Sequence, residues 1–196
     1  MQFLKNNYGW LLVILVGILA LLPLYSMLNS AISEGLLTTE GKKALEMSYH
    51  ISGEFSIRWM TAVLTCTPFF ILFGVQNLFV RQAMGIATAV WSILHFVIFI
   101  VAEGFLETFT QVNYIVGFVA ILILIPLLFT SNRKSMKLLK KKWKKLQSLV
   151  YVAIFLSLLH VFILEKTWLI YAIIVSVGFI VRIPIIKNKI IQYRKK

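Results

Sequence analysis

Two histidines, His95 and His160, each sit about two-thirds of the way along a very apolar stretch of roughly 20 residues, the length that spans a bilayer. Both stretches follow a basic segment. His95 comes 13 residues after Gln82 and His160 comes 14 residues after Leu146, so the two imidazoles fall at nearly the same depth. An ionisable group inside a bilayer is costly and marks a functional site by default. Two imidazoles at matching depth on different helices are the arrangement that supplies the two axial ligands of one haem iron.

The residues around each histidine are small on one side. Reading back from His95 at helical spacing gives Ser92, Thr88, Gly85 and Arg81, with the bulky Trp91, Phe96 and Phe99 beside or beyond that face. Reading back from His160 gives Ser157 and Ala153. A small-residue face lets a flat macrocycle, or another backbone, approach closely. The plain alternative is small-residue helix packing with each histidine hydrogen-bonded across the bundle. A zinc site would need three or four Cys, His or carboxylate ligands. The only other histidine is His50, while Glu103 and Glu107 lie past the end of the His95 stretch.

His50, Ser52 and Gly53 lead into a further apolar stretch, and Arg58 lies one turn deeper. A guanidinium there can pair with a haem propionate or a quinone oxygen, or snorkel to the interface. His50 and Arg58 are therefore second-tier cofactor-binding candidates behind His95 and His160, with Ser92, Thr88 and Ser157 as close-packing residues. No Gly-rich dinucleotide motif and no phosphate loop is present, so a flavin such as FMN or a nicotinamide must be held by another chain or by the bundle itself.

The elements that must carry these residues are membrane helices. The chain has 196 residues, 60% of them hydrophobic and 14% charged. Six candidate spans follow from continuous apolar runs: 9–29, 55–75, 83–102, 113–129, 147–164 and 168–186. Together they form a single transmembrane domain over 1–196, an all-α bundle with no room for a separate catalytic domain. The first run is longer than a signal-peptide core and no A-x-A-like site closes it, so it reads as a helix. Pro68 and Pro126 read as kinks whose freed carbonyls are satisfied inside the bundle. Trp10, Trp168, Tyr171 and Tyr193 fit an interfacial belt. Cys66, the single cysteine, lies within an apolar run and reads as a small core residue.

The net charge of +13 is unevenly spread. Lys5, Arg81, the eight cations from Arg133 to Lys145, and the basic C-terminus alternate with loops bearing Glu34, Glu40, Glu46, Glu103 and Glu107. Positive-inside bias places both termini and the 130–146 loop in the cytoplasm, with the acidic loops outside. Both histidines then lie about 20 Å from the inner end, in the outer half. Leu138, Leu139, Trp143 and Leu146 make 130–146 a candidate basic amphipathic helix on the lipid surface. Docking of an acidic cytosolic flavoprotein is the other reading. No soluble folded region presents the charge to nucleic acid.

The stretches HISGEFSIRW from His50, LTCTP ending at Pro68, RQAMG from Arg81, Leu94-His95, PLLFTS from Pro126, WKKLQSLVY from Trp143 and Leu159-His160 occur in an order that resembles a known family. It is similar to the ferric-reductase-like transmembrane domain, most closely to haem-binding membrane subunits of bacterial periplasmic methionine-sulfoxide reductase systems. The resemblance covers about 45–165, and it implies a b-type haem, a bacterial cytoplasmic-membrane location, and electron transfer to an exported acceptor. It matches the family's haem-ligand histidines to His95 and His160. Where the family carries a further histidine in W-x-x-L-H-R-L-V-Y, this chain has Gln147, and its inner-level positions offer Gln82 and Gln147. An amide is a poor iron ligand beside imidazole. One haem in the outer half is therefore expected, fed by membrane quinol or by a cytosolic flavin reductase. The chain is expected to transfer electrons rather than act as a self-contained catalyst. Two other readings stay open: a ferric-chelate reductase component, and a haem-free membrane scaffold or assembly protein.

Overall fold

The computed structural model describes residues 2–75 and 78–195, and among them there are helices and turns but no strand. The helices are α1 (Gln2–Glu34), α2 (Thr39–Phe73), α3 (Leu78–Glu103), a short 3₁₀ turn (Leu106–Phe109), α4 (Val112–Thr130), α5 (Arg133–Leu139), α6 (Lys141–Gln147), α7 (Val150–Ile163), α8 (Leu169–Arg182) and α9 (Pro184–Lys195). In lipid every backbone polar group must find its partner within the protein, which a helix does on its own. The ends are closed locally. Thr38 accepts from the Gly41 N–H at 3.1 Å to start α2, and Asn132 accepts from the Ser135 N–H at 2.8 Å to start α5. Gly74 ends α2 at φ 78, a left-handed conformation that a side chain would strain.

Five described helical stretches are long and apolar enough to cross a membrane, and a sixth results if α8 and α9 count as one span. Those two meet at an angle of 76° at Pro184. α8 alone has 14 residues and rises about 21 Å, short of a hydrocarbon core of about 30 Å. α2 is far longer than the apolar run at 55–75, with 35 residues. Its first five turns bury Gly41, Leu45, Ser48, Ser52 and Ser56, a helical-period stripe of mostly small and polar residues. That stripe is too polar to stand out as an apolar run. The basic 133–147 segment is broken into α5 and α6 at Lys140, whose φ is 49. Trp143 ties it down by donating its indole N–H to the Thr130 carbonyl at 2.8 Å.

Two buried layers hold the bundle. Val13, Ala20 and Leu24 of α1 pack with Trp59 of α2 and Ala83, Trp91 and Ile98 of α3. Met60, Val63 and Leu64 of α2 pack with Ala89, Leu124, Leu127, Ala153, Ile154 and Val175, joining α2, α3, α4, α7 and α8. Proline has no N–H, so Pro68 frees the carbonyl of Leu64. The Arg182 guanidinium from α8 donates to that carbonyl, and also donates to the Tyr151 hydroxyl at 2.9 Å. Arg194 of α9 donates to the Phe70 and Ile71 carbonyls at the end of α2, at 2.8 and 2.9 Å.

Charge is sorted along the bundle axis. All seven acidic residues are glutamates, and they lie toward the end holding the α1–α2, α3–α4 and α7–α8 turns. Among the described residues, Lys42, Lys43, Arg58 and Lys166 are the lysines and arginines that share this acidic end.

Candidate functional site

The two histidines face one another across a cavity of about 500 Å³ in the acidic half of the bundle. It is walled by α2, α3, α4 and α7 and closed by the α7–α8 turn and the first turn of α8. That size suits a cofactor-sized ligand. The floor is the buried layer around Met60, Leu124 and Ile154. His95 enters from α3 and His160 from α7, with ring centres 6.5 Å apart and ring planes at 67°.

Each imidazole is held the same way. His95 Nδ1 lies 2.6 Å from the carbonyl of Tyr49, and His160 Nδ1 lies 2.7 Å from the carbonyl of Asn113. A carbonyl only accepts, so both Nδ1 atoms carry the proton. Both Nε2 atoms are then left with free lone pairs. A glycine one turn beyond each carbonyl makes room for the ring. A Cβ on Gly53 would come within 3.0 Å of His95, and one on Gly117 within 2.9 Å of His160.

The other sequence candidates are distributed unevenly. Ser92, Ser157 and His50 line the cavity. Ser92 donates to the Thr88 carbonyl at 2.8 Å and accepts from the Ser56 hydroxyl at 2.5 Å. Thr88 is itself buried, donates to the Met84 carbonyl at 2.9 Å, and lies outside the lining. His50 sits at the mouth with Glu46 3.6 Å away. Arg58 lies outside the lining and pairs with Glu54 at 2.5 Å. Glu54 does line the mouth, where the Tyr171 hydroxyl approaches it at 3.5 Å. Among the described residues no group of three His, Cys, Asp or Glu could hold a bare metal ion.

Sequence reasoning missed Tyr49, Asn113, Gly53, Gly117 and Thr108. Thr108 lines the cavity, is 1% exposed, and its hydroxyl has no hydrogen-bond partner. Tyr49 and Asn113 act through backbone carbonyls, which leave no trace in residue type. The matching offset of four between each carbonyl residue and its glycine is the one signal in the sequence that could have pointed to them.

The glutamines at the basic end are engaged elsewhere. Gln82 donates to the Ser131 carbonyl at 2.8 Å. Gln147 donates to the Leu127 carbonyl at 3.2 Å and the Thr130 hydroxyl at 3.1 Å. Both fasten the C-terminal end of α4, and neither lines the cavity.

Fold and site define a multi-pass, all-helical membrane protein with a histidine pair lining an internal cavity. Residues 47–158 match the model of the ferric reductase like transmembrane component, and the chain belongs to that family. The match takes in His95 and ends two residues before His160. Relatives from Brucella ovis, Brucella canis and Brucella melitensis biotype 2 are each named protein-methionine-sulfoxide reductase heme-binding subunit MsrQ. Each is 31% identical over 138 residues, which is 65% of this chain and 63% of the relative. The chain thus spans less than two-thirds of the length of these relatives. No solved structure matches it. Its apolar helices and its family make it a multi-pass protein of the bacterial inner membrane.

Proposed function

We propose that this chain is a haem-binding electron-transfer subunit of the membrane, with His95 and His160 as axial ligands of a single b-type haem. The observation that carries this reading is the pair of imidazoles with both Nδ1 atoms engaged and ring centres 6.5 Å apart. Metal–nitrogen bonds of about 2.0 Å on opposite faces of one iron separate the ring centres by roughly 6 Å. Donation of the other ring nitrogen to a carbonyl is the usual support of a metal-bound histidine, fixing its tautomer and orientation. The cavity volume, the glycine cradles and the unpartnered Thr108 hydroxyl also fit a bound prosthetic group. When bound, the haem supplies reversible one-electron chemistry. The names of the Brucella relatives agree with this class of cofactor.

The chain's own residues hold the group, exclude water with the Met60 and Leu124 layer beneath it, and open to the acidic end past His50, Glu54 and Tyr171. Gln82 and Gln147 are engaged in fastening α4, which leaves no histidine pair at the basic end for a second haem. We assign the donor as a membrane quinol, which reaches the cavity laterally without crossing the packed basic half. The acceptor is an outer-face protein of the methionine-sulfoxide reductase kind. His50 lines the cavity mouth, where a propionate or a quinone oxygen would lie, and Arg58 stands outside the lining, paired with Glu54.

The test is a reduced-minus-oxidised absorbance spectrum with haem quantitation on the purified protein and on His95→Ala and His160→Ala. One b-type haem per chain, lost in either variant, is expected. Haem-free wild type, or haem retained in both variants, would sink the assignment. The donor is tested separately: reduction by a quinol analogue is expected. Reduction by NADH with a soluble flavin reductase and never by the quinol would transfer the donor role to the cytosol.

A further inference from the structure

The two histidines are supported by one device used twice. On α2 the carbonyl of Tyr49 accepts from His95 Nδ1–H, and Gly53 follows four residues later. On α4 the carbonyl of Asn113 accepts from His160 Nδ1–H, and Gly117 follows four residues later. In an α-helix the residue four further on donates its N–H to that same carbonyl. Each carbonyl therefore accepts twice, once from its own helix and once from the neighbour's histidine. The ring lies flat on the patch of backbone that the glycine leaves bare. A Cβ at residue 53 would stand 3.0 Å from both Nδ1 and Cε1 of His95. A Cβ at residue 117 would stand 2.9 Å from Nδ1 and 3.1 Å from Cε1 of His160. The hydrogen bond fixes one edge of each ring, and the bare backbone fixes its face.

These two constraints come from different helix pairs, α2 with α3 and α4 with α7, and they leave the ring planes 67° apart. We infer that Gly53 and Gly117 are positioning residues that set the planes of the two axial imidazoles and hold them crossed rather than parallel. The inference rests on the haem reading above and goes beyond it. Ligation needs the two Nε2 atoms to face one iron but does not prescribe the dihedral between the rings. That dihedral matters to the metal. Each imidazole's π orbital overlaps one of the iron's two dπ orbitals. Parallel rings act on the same one and split the pair, whereas crossed rings act on both and leave them nearly equal. Ligand orientation and outer hydrogen bonds are levers the protein holds over an iron centre. The crossed arrangement is built from backbone and glycine, so no side-chain repacking undoes it.

The experiment compares ferric low-spin EPR spectra and midpoint potentials of purified, haem-loaded wild type, Gly53→Ala, Gly117→Ala and Gly17→Ala. Gly17, on α1, has nothing within 4 Å of an added Cβ, and controls for alanine in a helix. Wild type and Gly17→Ala are expected to show the single, strongly shifted low-field signal of crossed imidazoles. Gly53→Ala and Gly117→Ala are expected to keep their helix content while that signal moves toward a rhombic pattern, with a shifted midpoint potential. A rhombic wild-type spectrum, or wild-type spectra and potentials in both glycine variants, would overturn it. Haem-free wild type instead fails the ligand assignment itself, and that result is read before any variant is made.

Discussion

Gln147 stands where the family this sequence resembles carries a further histidine. Its amide holds α6 to α4 through the Leu127 carbonyl and the Thr130 hydroxyl. Thr130 in turn donates to the Pro126 carbonyl at 2.6 Å, so the amide closes a local network at the end of α4. A histidine there cannot reproduce an amide that donates to two acceptors at once. Gln147→His is therefore expected to lower stability by about 1–2 kcal/mol. That would be read as a reduced thermal midpoint in detergent, with haem per chain unchanged. A doubling of haem per chain would show that the basic half has room for a second group. The histidine pair at the acidic end was legible in the sequence because an imidazole in an apolar run is conspicuous. Its supports were not, since Tyr49 and Asn113 contribute only carbonyls and Gly53 and Gly117 contribute the lack of a side chain.

Helices in lipid gain little from burying apolar surface against one another, so close packing and polar contacts between them carry more weight. The α2–α8 contact has both. Pro68 frees the Leu64 carbonyl, Arg182 fills it, and Gly178 admits the proline ring, with its Cγ 3.3 Å from where a Cβ would stand. Arg182→Leu is expected to cost about 1–3 kcal/mol, the penalty for an orphaned buried carbonyl. Pro68→Ala restores an N–H to that carbonyl, so Arg182→Leu should cost clearly less in the Pro68→Ala background. Equal costs in both backgrounds, measured as a double-mutant cycle on thermal or denaturant unfolding, would show that the guanidinium does not serve the proline. The helices themselves were mostly legible, because long apolar runs have few alternatives in a bilayer. The first four turns of α2 were not, because they bury Gly41, Ser48 and Ser52 beside a single large hydrophobic, Leu45. The break at Lys140 was equally hidden: nothing in a run of lysines announces a residue at φ 49.

At the scale of the whole molecule, the separation of charge decides which way the cavity opens. Positive-inside bias acts through lysine and arginine in short loops near the span ends. The basic end carries Arg133, Lys134, Lys137 and the five lysines of 140–145, and α9 adds Lys187, Lys189 and Arg194. The acidic end offers Lys42, Lys43, Arg58 and Lys166 against all seven glutamates. Such an imbalance is expected to orient the basic end to the cytoplasm and the histidine cavity toward the outer face. Two leucines outside the cavity lining report this directly: Leu37, 90% exposed in the α1–α2 turn, and Leu138, 82% exposed in α5. Cys66 is buried, so it leaves a thiol introduced at either position to dominate labelling. With a membrane-impermeant maleimide on spheroplasts, Leu37→Cys is expected to label at once and Leu138→Cys only after permeabilisation. The reverse pattern would turn the cavity toward the cytoplasm. A soluble flavoprotein could then reach its mouth directly, an outer-face acceptor could not, and the acceptor assigned above would fall.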